Sequence, residues 1–255
     1  MKLDFTGQTA VVTGAAHGFG RAIARAFAAR GANVWACDLL AVELDETRQL
    51  IVSAGGTCTA RAMDVRDKHA VEKLVADASR TTRSVQILVN NAGGVLGQVG
   101  RPLEDVTPEQ WHDIFAVNVT GAFYFSQAVS PGMKSVRHGR IINISSGAGL
   151  GISLTGIQAY AAAKAAQIGL TRQLAHELGP WNITVNNIAP GFVRSNATTE
   201  RQWESYGAEG QKELIERIAL KRLGTPDDIA NGVLFFASEF ANWITGQVLA
   251  IDGGK

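Results

Sequence analysis

The chain has 255 residues, 46% of them hydrophobic and 18% charged, with a formal net charge of +1. That size and balance suit one large α/β domain, and a near-neutral chain without runs of like charge gives no electrostatic reason to expect nucleic acid or an anionic membrane as partner. Small molecules remain as expected partners. The opening residues, Met1-Lys2-Leu3-Asp4-Phe5, carry an acid and no long apolar run behind it, so no secretory leader is expected. No stretch approaches the ~20 apolar residues of a membrane span. Cys37 and Cys58 each lie in an apolar run without metal-ligand spacing, which points to ordinary buried thiols in a reducing cytoplasm and to no bound metal.

Residues 9–13 form a short apolar run, Gly14-Ala-Ala-His-Gly18-Phe-Gly20 follows, and residues 21–30 carry apolar side chains at helical spacing: strand, glycine-rich turn, helix. A second strand is predicted at 33–38 and a second helix at 43–54, stopped at Gly55-Gly56 by the left-handed conformation glycine allows. Strand 57–63, helix 68–79 and strand 85–89 continue the alternation. A long helix runs from Pro108 to about Gln127, with Thr107 as its cap. After a strand at 141–144, a helix carries Tyr160 and ends near Leu178, before Gly179-Pro180. Strand 183–188, helix 226–236 and strand 248–251 complete the series. Strands alternating with helices throughout imply a single domain over 1–255, a parallel sheet covered by helices on both faces. Residues 194–223 break the alternation, with helical spacing only in their second half; they read as a lid rather than a linker because Trp203 and Tyr206 are too apolar for free chain.

Tyr160 and Lys164, four apart in an Ala-rich helix, share one face about 5–6 Å apart at Cβ. A phenol serves proton transfer best with its pKa nearer the working pH, a downward shift of about 3 units or roughly 4 kcal/mol. An ammonium at ~4 Å supplies about that at an effective dielectric of ~20. Ser146, after the apolar run at 141–144, is placed to donate to the oxygen the phenol serves. The turn Gly14, Gly18, Gly20 sits between strand and helix, where a phosphate meets helix amides; an ordinary tight turn is the competing account. Asp38 ends the second strand, where a carboxylate accepts from both ribose hydroxyls and repels a 2′-phosphate; the alternative is a solvated helix cap. Asp64 either reaches an adenine or caps the helix from residue 68. Asn90-Asn91-Ala92-Gly93 closes the fourth strand at the ligand-binding edge, or is a plain turn. Asn118, a poor helix former inside the long helix, suggests side-chain bonding at a local distortion beside the site.

Taken in order, Thr13-Gly14-x-x-x-Gly18-x-Gly20, Asn90-Asn91-Ala92-Gly93, Asn118, Ser146, Tyr160-x-x-x-Lys164, Pro190-Gly191 and Gly246-Gln247 through Asp252-Gly253-Gly254 resemble the motifs of the short-chain dehydrogenase/reductase family over nearly the whole chain. The resemblance implies a doubly wound, Rossmann-like, seven-stranded parallel sheet. It implies that Tyr160 exchanges a proton, Ser146 orients the reacting oxygen, Lys164 holds the nicotinamide ribose and Asn118 anchors a relay water. Its cofactor, NAD by the place of Asp38, would also touch His17, Phe19, Val65, Asn91, Ala92, Gly93, Pro190, Gly191, Val193 and Ser195, besides the glycines, Asp64, Tyr160 and Lys164. Ser195 stands where the family usually has Thr, and His17, mostly neutral at pH 7, is a weak phosphate ligand.

Such a protein is expected to be an alcohol dehydrogenase of a secondary carbinol. A 3-oxoacyl-carrier-protein reductase is the competing enzyme and a non-catalytic binding protein the alternative of another class. By family analogy, 94–101, 147–158 and 194–206 border the pocket, and their Gln98, Arg101, Ser153, Gln158, Arg194, Asn196 and Arg201 suggest a small polar substrate, a sugar or a sugar-derived acid such as a 2-keto-3-deoxy sugar acid, with Ser146 and Trp203 as further expected substrate contacts. Leu96, Leu150, Ile152 and Leu154 keep a partly apolar ligand open. A homotetramer is expected, pairing the long helices across one two-fold axis and the helix at 226 with the last strand across another.

Overall fold

A computed structural model describes residues 3–255. Its first strand, β1 (Thr9–Thr13), is buried along its whole length, as a run of Ala, Val and Thr with no charge permits. The chain continues through α1 (Gly18–Ala28), β2 (Asn33–Asp38), α2 (Ala41–Ser53), β3 (Thr57–Ala62), α3 (Lys68–Thr82), β4 (Ile87–Asn90), α4 (Pro108–Phe115), α5 (Gly121–Val136), β5 (Gly139–Ile144), α6 (Gln158–Leu178), β6 (Ile183–Pro190), α7 (Ala197–Ser205), α8 (Gly207–Arg217), α9 (Pro226–Ala237) and β7 (Val248–Ile251). The seven strands pair in parallel in the order β3-β2-β1-β4-β5-β6-β7, so the winding reverses between β1 and β4 and opens a crevice at their carboxyl ends.

One face of the sheet is covered by α1, α2 and α9 through Ile23, Phe27, Leu44, Ile51, Val233 and Leu234, with Phe5 edge-on to Phe27 at 5.0 Å. The other is covered by α3, α5 and α6 through Leu74, Phe125, Met133 and Leu178. Each such side chain contributes about 1.5–3 kcal/mol on burial. Thr107 with Gln110 and Thr225 with Asp228 form capping boxes ahead of Pro108 and Pro226, fixing where α4 and α9 begin. Cys37 and Cys58 are free thiols, and burial raises both, Cys58 to about 11. Among the described residues no helix is long and apolar enough to cross a membrane.

Three expectations change. The fourth strand enters the ladder at Ile87, two residues later than predicted. The long helix does not stop near Gln127: after a π-helical turn (Ala116–Thr120) it runs through Pro131 to Val136. A proline inside a helix costs about 3 kcal/mol, and the burial of Val129 and Met133 on either side offsets it. Residues 194–223 are not irregular in their first half, because Asn196 accepts from the amides of Thr198 and Thr199 and starts α7. That cap is local and polar, so hydrophobic spacing does not reveal it.

Candidate active site

The crevice is laced from beneath by Thr13, whose hydroxyl accepts from the amides of Asn91 at 3.0 Å and Ala92 at 2.9 Å, while the Asn91 carboxamide donates to the carbonyls of Thr13 and Gly14, both at 2.9 Å. The glycine-rich turn and the end of β4 therefore hold each other. His17 stands at the N-cap of α1 without capping it, and Phe19 packs inward on the core, so no side-chain cap covers the first amides of the helix around Gly18 and Gly20. Asp38 accepts from Ala16 N at 3.0 Å with one oxygen and from Leu40 N at 3.1 Å with the other. It sits against the turn, rather than capping α2 in solvent. Each oxygen retains acceptor capacity. Asp64 is engaged by the Arg66 guanidinium at 2.7 and 2.9 Å, which holds its carboxyl below the usual range; the cap of α3 is Asp67, so that reading of Asp64 falls. Val65 is buried against Gly121.

At the reacting end the two serines part company. Ser145 is buried and donates to Asn187 and to the Ile188 carbonyl on β6, whereas Ser146 accepts from Ala148 N at 3.1 Å and sits on the Tyr160 side, where its hydroxyl acts to lower the phenol. Lys164 is buried, its ammonium 5.7 Å from the Tyr160 ring centre and donating to the Ile144 carbonyl and to Gln167 Oε1, both at 3.0 Å. The expectation that this lysine depresses the phenol is overturned. Burial raises the Tyr160 pKa, opposed by the Ser146 hydrogen bond, and burial pulls Lys164 down to about 7. Desolvation outweighs proximity because it penalises the charged form of each group, and a half-neutral amine exerts a weaker field.

Asn118 lies in the π turn, where the loosened backbone leaves the Ile114 carbonyl for its side chain at 2.8 Å; it also donates to Gly94 O at 2.9 Å and accepts from Gly94 N at 3.0 Å. The distortion expected of a mid-helix Asn is there. A Cβ on Gly93 would lie 2.4 Å from Asn118 Oδ1 and 3.2 Å from Lys164 Nζ, so this glycine is where α6, the π turn and β4 close on each other.

The remaining residues form the far wall. Gly191 N donates to Ile251 O, Val193 is buried and bridged to Gly224, and the Ser195 carbonyl would lie 2.8 Å from a Cβ on Gly18, which puts the root of α7 on the glycine-rich turn beside Pro190. Phe192 stacks on Trp203 at 6.0 Å and meets Tyr206 at 5.8 Å. Arg194 is bound to Glu200 at 2.8 and 2.9 Å and lies over Trp203; Arg201 is exposed and donates to Thr198; Gln158 donates to the Arg101 carbonyl at 2.9 Å. Three residues that sequence reasoning passed over belong to the frame: Arg21 and Thr47, which grip the Ala16 and Ala15 carbonyls behind the turn, and Gln167. A lone Gln at a buried phase of an Ala-rich helix was the signal for the last.

The family model of enoyl-(acyl carrier protein) reductases matches residues 14–255. The (2S)-[(R)-hydroxy(phenyl)methyl]succinyl-CoA dehydrogenase subunit BbsD of Thauera aromatica is 37% identical over 97% of this chain and 96% of that protein. The 3-oxoacyl-[acyl-carrier-protein] reductase FabG of Thermotoga maritima is 35% identical over 100% and 99%. Among solved structures, a 7α-hydroxysteroid dehydrogenase complexed with NADH and 7-oxo glycochenodeoxycholic acid superposes with a TM-score of 0.90 at 34% identity, covering 99% of this chain and 95% of that one.

Proposed function

The chain belongs to the short-chain dehydrogenase/reductase family, and on that premise we propose that it is an NAD-dependent oxidoreductase interconverting a secondary alcohol and its ketone. The observation that carries this reading is the buried Lys164 ammonium 5.7 Å from the Tyr160 ring on α6, with Ser146 at the end of β5 acting on the phenol. A non-catalytic binding protein has no use for that constellation.

A bound nicotinamide dinucleotide supplies the hydride acceptor or donor. The residues fit it: the uncapped N-terminus of α1 suits a pyrophosphate, and Asp38 has acceptor capacity for ribose hydroxyls and a charge that disfavours a 2′-phosphate, hence NAD over NADP. In reduction, Tyr160 would give its phenolic proton to the carbonyl oxygen as a hydride reaches the carbon; in oxidation its phenolate would take the carbinol proton as the C–H leaves as hydride. Ser146 donates to the same oxygen and keeps it facing the phenol. Lys164 would hold the nicotinamide ribose, and Asn118 holds the Gly93-Gly94 turn against α6.

For the substrate we favour an alcohol flanked by an apolar group. The rim carries exposed Leu96, Val99, Leu150, Ile152 and Leu154, the far wall is the Phe192, Trp203 and Tyr206 cluster, and Arg194 is already paired with Glu200. The relatives named above act on acyl thioesters or a steroid, in keeping with such a rim. The sugar-acid reading stands second; Arg201, exposed beside the wall, is what favours it. Residues 194–223 we read as the lid. The exposed Trp111 and Phe123 on α4 and α5, and Trp243 and Leu249 by β7, support a homotetramer closed over those faces, and a tetrameric mass by light scattering is the expected result. The deciding experiment follows reduced nicotinamide with NAD+ or NADP+ over a panel of 3-hydroxyacyl thioesters, hydroxysteroids and sugar acids. Turnover with NAD+ and an apolar-flanked alcohol is expected; equal use of NADP+, or turnover of sugar acids alone, would overturn the respective assignment.

A further inference from the structure

Gln167 lies three residues after Lys164 on α6, fully buried, with an alanine before it and an isoleucine after it. Its carboxamide oxygen accepts from the Lys164 ammonium at 3.0 Å, and the other acceptor recorded on that ammonium is the Ile144 carbonyl of β5 at the same distance. Its Nε2 finds no partner among the described residues. A buried amide left half satisfied costs stability, and packing alone would favour methionine or leucine there. What the amide adds is a dipole on the lysine. The strand β6, the helices α4 and α5, the π turn and the short turns Gly147–Gly149 and Gly179–Trp181 all pack on α6, and none brings a charged side chain to bear on the ammonium; the titratable group beside it is Tyr160, 5.7 Å away at its ring centre. A buried cation is thus held by two neutral dipoles, one of them a strand carbonyl that no substitution removes.

We propose that Gln167 is a positioning residue of the reaction centre, which holds the Lys164 ammonium charged and in place by its carboxamide oxygen and leaves the third N–H free toward the reacting groups. The two acceptors and the ammonium account for two of its three protons, and Nζ lies close to Gly93 on the remaining side. Removing the oxygen leaves the cation on one dipole and weakens the charged form; replacing the amide by a carboxylate strengthens it.

The consequence for turnover rests on the dehydrogenase reading, but the test does not. In protein carrying isotope-labelled lysine, the Lys164 side-chain resonance, identified by its loss in Lys164→Arg, is titrated in the wild type, Gln167→Met and Gln167→Glu. The midpoint is expected to fall by about one pH unit in Gln167→Met and to rise by about as much in Gln167→Glu. Should one variant fail to fold, the direction of the other decides. Midpoints that coincide with the wild type, or move the same way in both variants, overturn the role of Gln167. Because neither substrate nor cofactor enters the titration, an absent dehydrogenase activity would sink the functional reading while leaving this result to stand or fall separately.

Discussion

The end of β5 with α6 and the segment that carries α7 and α8 are built in opposite ways. In the first, polar groups are buried and each is tied to a particular backbone or side-chain partner: Asn118 to Gly94 and Ile114, Ser145 to Asn187, Lys164 to Ile144 and Gln167. In the second, charges are exposed and pair with each other on the surface, as Arg194 does with Glu200, while the inward side is an aromatic cluster. A buried polar group without its partner is expensive, so the first region has one arrangement. Surface ion pairs are worth little and can exchange partners, so the second is free to follow the ligand. On the proposed function, the reaction type belongs to the rigid region and substrate choice to the adaptable one.

That contrast breaks most visibly at Tyr160. Tyr160→Phe removes the hydroxyl proposed to transfer the proton and keeps the ring, so turnover is expected to fall by about 10²–10⁴ with an unchanged melting temperature. Initial rates beside a thermal melt measure both; a loss of a few-fold would take Tyr160 out of the chemistry.

The next effect is on stability against pH. Lys164 is pulled down from 10.5 to about 7 in the folded protein, so between those limits the unfolded chain binds more protons. The destabilisation is fully present below about pH 7 and is relieved as pH rises toward 10.5, at up to about 1.4 kcal/mol per pH unit. Urea unfolding of the wild type against Lys164→Met is expected to show a stability difference between the two that changes by the Lys164 slope across this window, over the slope that Cys37, Cys58 and Tyr160 give both. Parallel curves would mean that the ammonium is not desolvated as its burial implies.

The smallest effect sharpens the other side. Arg194→Ala frees Glu200 and uncovers Trp203, both at the surface, and should change kcat/KM for an uncharged alcohol by less than about three-fold. A selective loss of tens of fold for a carboxylic acid substrate would return the sugar-acid reading to first place.

Strand and helix order, the cap at Thr107, the glycine-rich turn, and the pairing of Tyr160 with Lys164 on one helical face were all legible in the amino-acid sequence. Each depends on residues within a few positions of one another, where periodicity, φ freedom and cap chemistry act locally. The signs of the pKa shifts at Tyr160 and Lys164, the partners of Ser145 and of Arg194, and the place of Gln167 against the ammonium were not. Those depend on desolvation and on acceptors brought from β5, β6 and α7, and burial is a property of the packed chain, which residue spacing does not carry.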